Sequence, residues 1–169
     1  AALWRTGDAR RLKAGEYRFD RPLGPREVVA RLARGDVYLR AITFREGLTI
    51  REMARLWEEQ GFGTASEFRR AAGRASLIHD LDPEARDLEG YRYPDTYALP
   101  RRASVSTVIE RMVAGCRRVF TEDLQEAARA QGFSVRQAVA LAALVEKETA
   151  KPEERPIVAG VYRQRLRIG

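Results

Sequence analysis

The sequence is poor in the residues that build redox, metal and charge-relay sites. Its 169 residues include one cysteine, Cys116, and one histidine, His79. A single cysteine excludes an internal disulfide, and its place on the apolar face of a predicted helix favours a small buried side chain over a nucleophile. His79 has no second histidine and no cysteine near it, so neither a metal site nor a Ser-His-Asp triad is predicted. We therefore expect chemistry that needs no metal or cofactor.

Long apolar runs are missing as well. The longest covers residues 138–145, well short of the roughly 20 residues that cross a bilayer, and no signal peptide is expected in this stretch of chain. The net charge of +7 and the pI of about 10.1 favour partners with negative charge, such as nucleic acid, an anionic membrane surface or an acidic polymer. Nearly all of the positive charge is arginine, which is common in chains from GC-rich genomes, and both signs are spread along the chain, so we expect no nucleic-acid partner.

The first third of the chain alternates strand and helix signals and predicts a small βαβα unit. It holds, in order, a strand over residues 15–19, a helix over 25–35, a strand over 37–44 and a helix that ends near 61. Thr49 and Glu52 form a capping box at the start of the second helix. A unit of this size is typical of a binding module.

The rest of the chain predicts a mainly helical domain. Helices are expected over residues 64–75 and after Ser104, Ser134 and Pro156, while residues 81–100, with three prolines, a glycine and three tyrosines, are expected to form an ordered loop. The helix that begins after Ser134 is apolar on every side up to Val145, which predicts a central helix enclosed by the domain. The fold class is therefore α+β.

Glu146 ends this apolar helix. On a helix it lies over Ala142 and Ala143, so its carboxyl is expected to face packed protein or a pocket. Loss of water there would raise its pKa, and a carboxyl that is protonated near neutral pH is what a general acid needs. Glu148 lies about two hundred degrees further around the helix, so no close dyad is expected. The alternative, a helix end that simply reaches the surface at these residues, remains equally open.

A second cluster covers residues 89–97. The rings of Tyr91 and Tyr97 offer faces for stacking on sugar rings, and the carboxylates of Glu89 and Asp95 accept hydrogen bonds from sugar hydroxyls. The alternative is a proline-containing loop that is pinned by buried tyrosines.

Three motifs in order carry a resemblance to a known family. They are LEGYRYPDTY at residues 88–97, LVEKET at 144–149, and ERPIVAGVY at 154–162 followed by Arg165-Leu166. Together they resemble the YceG-like family of endolytic murein transglycosylases. Residues 12–17 and 43–49 also resemble the LysM-like subdomain of that family. Residues 1–62 are therefore expected to be a LysM-like subdomain, and 63–169 a catalytic domain that is truncated at its C-terminal end.

The resemblance implies a lyase that acts on peptidoglycan glycan strands. The catalytic glutamate of the family falls on Glu146. The motif residues expected to bind substrate are Glu89, Tyr91, Asp95, Tyr97, Arg155 and Arg165. The enzyme is expected to be held at the cell membrane by an N-terminal single-pass anchor outside this sequence, to work on the extracytoplasmic side, and to have cell-wall synthases among its partners.

Two departures from the family pattern and two rival functions bear on this expectation. The family commonly has asparagine where this chain has Gln164, which affects a polar contact near the site rather than the chemistry. The family also continues beyond the last residue, so an incomplete cleft is expected. The chief rival is a noncatalytic peptidoglycan-binding or scaffold protein, and the second is a basic nucleic-acid-binding protein. Products with 1,6-anhydro ends distinguish the enzyme from both.

Overall fold

The computed structural model describes residues 12–168 and confirms an α+β fold that is rich in helix. The elements in this part of the chain are α1 (Pro25–Arg34), β1 (Leu39–Phe44), α2 (Ile50–Glu59), α3 (Ala65–Ala72), a short 3₁₀ helix (Ala75–Leu77), β2 (Asp95–Pro100), α4 (Val105–Val119), α5 (Glu122–Ala130), α6 (Val135–Glu148) and α7 (Arg155–Ile168). The two strands pair with each other in a two-stranded sheet. None of the helices within residues 12–168 has the length and apolar character that crossing a membrane requires.

The described chain divides into two compact units. The N-terminal unit holds the described residues up to Ile42 together with Thr96–Ala103. The helical unit holds Thr43–Asp95 and the described residues from Ser104 onward. The boundary expected between residues 62 and 63 lies inside the helical unit, between α2 and α3. Those two helices share an aromatic core, in which the ring centroids of Trp57 and Phe68 are 5.8 Å apart. Whether residues 1–62 act as a LysM-like subdomain stays a prediction.

The core of the helical unit is built from α2, α3, α4 and the end of β1. Its largest fully buried side chains include Trp57, Phe44, Phe68, Ile109 and Met112. The Trp57 ring stacks on Phe62 at 5.0 Å, and Phe44 meets Phe68 at 5.8 Å. Cys116 lies half-buried on α4, where burial raises the pKa of its thiol. This environment agrees with a packing role and keeps the thiol unreactive.

The local signals for helix starts are confirmed. Thr49 caps α2 with the predicted capping box to Glu52, and Ser134 caps α6 with the same arrangement to Gln137. Gly35 ends α1 with φ of 78°, a left-handed conformation that glycine adopts without steric cost. These positions depend on bonds within a few residues, so the sequence is enough to predict them.

Two predictions about elements are wrong, and one helix was missed. Residues 15–19 form no strand, because β1 pairs with β2 instead. The Glu16 carbonyl accepts a hydrogen bond from the Tyr38 N–H, but this bond is not part of a strand pair. The predicted loop over residues 81–100 ends early, because its last six residues form β2. The helix α5 was not predicted, and its mean composition is polar.

The enclosure predicted for α6 is also wrong. Of its residues only Val145 is buried, and Leu144 is 46% exposed. Within the described chain the helix packs against α7 and α5, so much of its surface faces outward. An apolar sequence indicates which faces of a helix would be stabilised by burial, but it does not show which other element, if any, covers them.

Candidate active site

The cavity that contains Glu146 lies entirely within the helical unit. It has a volume of about 510 Å³ and three walls: the turn over residues 45–49, the loop over residues 89–94, and one side of α6 between Arg136 and Lys147. Alanine, valine and leucine side chains of α6 supply its apolar lining, and charged side chains come from all three walls. A polar ligand with apolar ring faces suits such a lining.

A buried carboxylate fixes the loop wall of the cavity. Asp82 is 7% exposed and accepts three hydrogen bonds, from the Tyr91 hydroxyl at 2.8 Å and from Nε and Nη2 of Arg136 at 2.8 and 3.0 Å. Burial acts to raise the pKa of Asp82, but the bonds from Arg136 and Tyr91 outweigh it and hold the pKa below its usual value. Asp82 therefore ties the loop to α6 in its ionised form.

Glu89 is engaged in holding the structure rather than free to bind a ligand. Its Oε2 accepts the backbone N–H of Ile50 at 3.0 Å, at the start of α2, and its Oε1 pairs with the guanidinium of Arg92. The Arg92 side chain is 2% exposed, and its Nε donates to the Leu88 carbonyl at 3.2 Å. Burial lowers the pKa of Arg92, and the ion pair keeps the buried charge compensated.

The loop comes close to α6 at a glycine. Gly90 has φ of 82°, and a Cβ atom at this position would lie 3.0 Å from Cγ1 of Val139. Both the left-handed backbone and the close approach favour glycine here. This contact brings the loop against the helix that carries Glu146.

Glu146 lies near the C-terminal end of α6, which is followed by the cap residue Thr149. Burial of its carboxyl is the main cause of a raised pKa, the negative charge of Glu46 adds to it, and the positive charge of Arg155 opposes it. The residue as a whole is exposed to solvent, so the carboxyl is open to the cavity while neighbouring protein displaces part of its water. Within residues 12–168 no arginine forms an ion pair with Glu146.

The residues predicted to surround Glu146 are only partly brought together. Glu89 and Tyr91 line the same cavity as Glu146. Asp95 is the first residue of β2 and Tyr97 is buried within that strand, and neither belongs to the lining.

The two predicted arginines lie on α7. Arg155 begins the helix and is near enough for its charge to act on Glu146. Arg165 is ten residues further along, roughly 15 Å at the rise of a helix, and its charge acts on Tyr162 instead. Glu148, two residues after the acid, accepts a hydrogen bond from the Tyr162 hydroxyl at 2.8 Å, so the two glutamates have different surroundings.

The sequence did not single out three residues of this site. Glu46 lies in the cavity wall, and although it belongs to the stretch over residues 43–49 that resembles the family's LysM-like subdomain, no site role was predicted for it. Asp82 and Arg136 are 54 residues apart in the chain, and no local pattern links two residues at that separation.

A second cavity, of about 620 Å³, lies in the N-terminal unit beside α1. Its charged residues are largely satisfied by one another: Arg34 pairs with Asp36 at 2.9 Å and Arg21 with Glu27 at 3.5 Å. The cavity at Glu146 is therefore the better candidate for chemistry.

Comparisons with known proteins identify the family of the chain. The family model described as the YceG-like family matches residues 1–169. The chain is 28% identical to endolytic murein transglycosylases of two Streptococcus pneumoniae strains, serotype 2 strain D39 and strain R6, with 92% of this chain and 33% of each relative covered. The chain thus spans about a third of the length of these relatives.

A solved structure supports the fold. The 2.6 Å crystal structure of a yceG-like protein from Listeria monocytogenes superposes with a TM-score of 0.58 at 21% identity, covering 91% of this chain and 56% of that one. The family match over the whole sequence, together with the motifs that surround Glu146, shows that the chain belongs to the YceG-like family.

Proposed function

We propose that this chain is part of an endolytic lytic transglycosylase that cleaves the β-1,4 bond between N-acetylmuramic acid and N-acetylglucosamine in nascent peptidoglycan strands. The observation that carries the proposal is a carboxyl with a raised pKa, Glu146, on the wall of a cavity whose other walls are the turn over residues 45–49 and the motif loop over residues 89–94. The names of the pneumococcal relatives support the reaction class.

One carboxyl is enough for this reaction. Protonated Glu146 donates its proton to the glycosidic oxygen as the bond from that oxygen to C1 of the muramic sugar breaks, and the electron pair leaves with the N-acetylglucosamine oxygen. The resulting Glu146 carboxylate then takes the proton of the muramic sugar's own 6-hydroxyl, whose oxygen forms a bond to C1. The products are a 1,6-anhydromuramic end and a free 4-hydroxyl, and Glu146 regains its proton without a water molecule. Because the nucleophile belongs to the substrate, part of the entropic barrier is already removed.

The surroundings of Glu146 suit a resting-state acid. A paired arginine would favour the ionised carboxylate, and the described part of the chain has no such pair. Arg155 is the basic residue best placed to contact a substrate carboxylate or hydroxyl. The Tyr91 hydroxyl is bonded to Asp82, so Tyr91 would contribute its ring rather than its hydroxyl. Asp95 and Arg165 remain proposed substrate contacts, whereas Tyr97 is buried in β2 and would pack rather than meet a ligand.

The remaining parts of the proposal concern the whole protein. We propose that residues 1–62 bind glycan as a LysM-like module. We further propose that a membrane anchor holds the enzyme on the extracytoplasmic side, where it works beside cell-wall synthases. A noncatalytic scaffold, the chief alternative, would bind the same strands without cutting them.

The test is Glu146→Gln in the full-length protein, with products from purified peptidoglycan measured by mass spectrometry. The amide keeps the shape and loses the transferable proton, so anhydro products should fall by on the order of 10²–10⁴-fold, the contribution of a general acid. Glu148→Gln, which affects a bond to Tyr162, is the matched control and should be milder. Anhydro products at near the parent rate from Glu146→Gln would refute the assignment. Strand binding without any cleavage by the parent protein would favour the scaffold, and salt-dependent DNA binding would favour a nucleic-acid function.

A further inference from the structure

Glu46 is a second carboxylate on the wall of the cavity that contains Glu146. It belongs to the turn over residues 45–49 and is exposed to solvent. Its side chain forms no hydrogen bond or ion pair with any residue between 12 and 168. An unpaired carboxylate beside the proposed acid is not needed to hold the fold together.

The turn that carries Glu46 is held firmly on both sides. Phe44, just before it, is 1% exposed, and Thr49, its last residue, accepts the Glu52 N–H at 3.3 Å in the capping box of α2. Glu89 fixes the next residue, Ile50, from the opposite wall. The carboxylate is therefore presented on a short and well-anchored loop.

The turn also faces the end of α6 where Glu146 lies. Gly47 has φ of 76°, and a Cβ atom there would lie 3.6 Å from Cε of Lys147. Lys147 is the residue that follows Glu146, so Glu46 and the acid are brought to the same end of the cavity by two different elements.

We propose that Glu46 is a positioning residue that acts through Glu146, its negative charge holding the acid in the protonated form until substrate is bound. The proposal rests on the proposed function of Glu146. Two like charges in one cavity oppose each other, so the neutral form of one carboxyl is favoured while the other is ionised. The raised pKa of Glu146, to which Glu46 contributes after burial, is consistent with this arrangement.

Other charged groups line the cavity or act on Glu146, and they also influence how readily its carboxyl keeps a proton. They are Arg45 beside Glu46 on the turn, Glu89 and its partner Arg92 on the loop, Arg136 and Lys147 on α6, and Arg155 on α7. Arg92 is compensated by Glu89, and Arg136 by Asp82. Neither Arg45 nor Lys147 forms an ion pair with Glu46 in the described part of the chain, so its charge is not cancelled. Arg155 acts in the opposite direction from Glu46.

The test is the pH dependence of kcat/KM in the full-length protein carrying Glu46→Gln. The first step needs protonated Glu146, so activity falls as the pH rises through the pKa of that residue. Loss of the Glu46 charge lowers this pKa, and the alkaline limb should move to lower pH by about half a unit or more. At pH values below the limb the variant should approach parent activity. The difference should shrink at about 1 M salt, where the Debye length is about 3 Å.

Three further variants make the result specific. Glu46→Asp keeps the charge and should restore most of the shift. Arg155→Gln removes a positive charge and should move the limb to higher pH. Glu126→Gln, on an exposed position of α5 away from the cavity, should leave the limb at its parent position. If Glu46→Gln melts below the parent, Glu46→Ser in the same turn replaces it, since this residue also lacks the charge.

The outcomes separate the proposed role of Glu46 from the proposed function of Glu146. An unmoved limb in the charge-removing variant overturns the role of Glu46 while leaving the lytic reaction intact. Inactivity at every pH with parent melting also overturns it, because a residue that acts only through the charge on Glu146 is dispensable once Glu146 is protonated. If Glu146→Gln itself keeps making anhydro products, the proposed function fails instead.

Discussion

The loop over residues 81–94 has an irregular backbone but several buried side chains, whereas the helix α6 has a regular backbone but little buried surface. The loop has no helix or strand, yet Leu88, Tyr91 and Arg92 are buried, and its backbone bonds to α3 through Leu88 N and to α4 through Tyr93 N. The helix α6 is regular and apolar in sequence, yet only one of its residues is buried. Side-chain bonding, rather than secondary structure, makes the loop the rigid wall of the cavity.

The loop and α6 also have different roles in the proposed reaction. The loop contributes a fixed surface, because the hydroxyl of Tyr91 and both oxygens of Glu89 are committed to structural bonds. The open face of α6 contributes the reacting group, because Glu146 is exposed to the cavity. An acid must meet its substrate, so partial exposure with partial loss of water is compatible with its role.

Among variants that test this difference between the loop and α6, Asp82→Ala is expected to have the largest effect on stability. The change leaves the Tyr91 hydroxyl without its acceptor and releases Arg136, so unfolding free energy should fall by roughly 2–3 kcal/mol, the cost of bonds to a charged group. Chemical denaturation measures it, and hydrogen exchange at residues 88–92 should show faster opening. Asp82→Asn keeps the size and part of the bonding and should cost less. A loss below about 0.5 kcal/mol, the range of an ordinary surface change, would mean that the loop is pinned by its other contacts.

Two neighbours on α6 test the other half of the comparison. Val145 is 7% exposed and Leu144 is 46% exposed. Val145→Ala removes two buried carbon atoms and should cost about 1–2 kcal/mol, while Leu144→Ala should stay within about 0.5 kcal/mol. The measurement is denaturation of the 169-residue chain. An equal or larger loss at Leu144 would show that this face of α6 is covered in solution.

Tyr91→Phe separates the ring from the hydroxyl. The ring remains as part of the wall, and the single bond to Asp82 is lost, so stability should fall by about 1 kcal/mol. Arg136 still holds Asp82, which limits the loss. Binding of peptidoglycan strands by the full-length protein should be nearly unchanged, and a marked drop in binding would instead assign the hydroxyl to the ligand.

The smallest effect is a pH dependence of stability in the acid range. Bonds from Arg117 hold the pKa of Asp80 at about 2, and the pKa of Asp82 is also lowered. Because these folded-state values lie below the unfolded ones, their stabilisation is complete above about pH 4 and is lost as the pH falls toward about 2. Denaturation midpoints should therefore decline over this window, and Asp80→Asn should flatten the decline. A profile that is identical in the variant would show that Asp80 does not contribute.

Local chemistry is what made parts of the fold predictable. The caps Thr49 and Ser134 and the helix end at Gly35 depend on hydrogen bonds or backbone angles within three or four residues. The placement of Glu146 at the end of an apolar helix was predicted in the same way. The strand β2 was missed because a strand needs a partner, and its partner β1 lies about fifty residues earlier in the chain.

Sequence alone is enough to predict the α+β class, the capped helix starts, the absence of an internal disulfide and the position of Glu146 on its helix, because each depends on composition or on neighbours in the chain. Folding in three dimensions is what leaves α6 largely open, joins Tyr91 to Arg136 through Asp82, and brings Glu46 into the same cavity as Glu146. Burial and charge coupling act between surfaces that meet only after folding, over separations of up to a hundred residues in this site. They consequently leave no periodic pattern in the sequence.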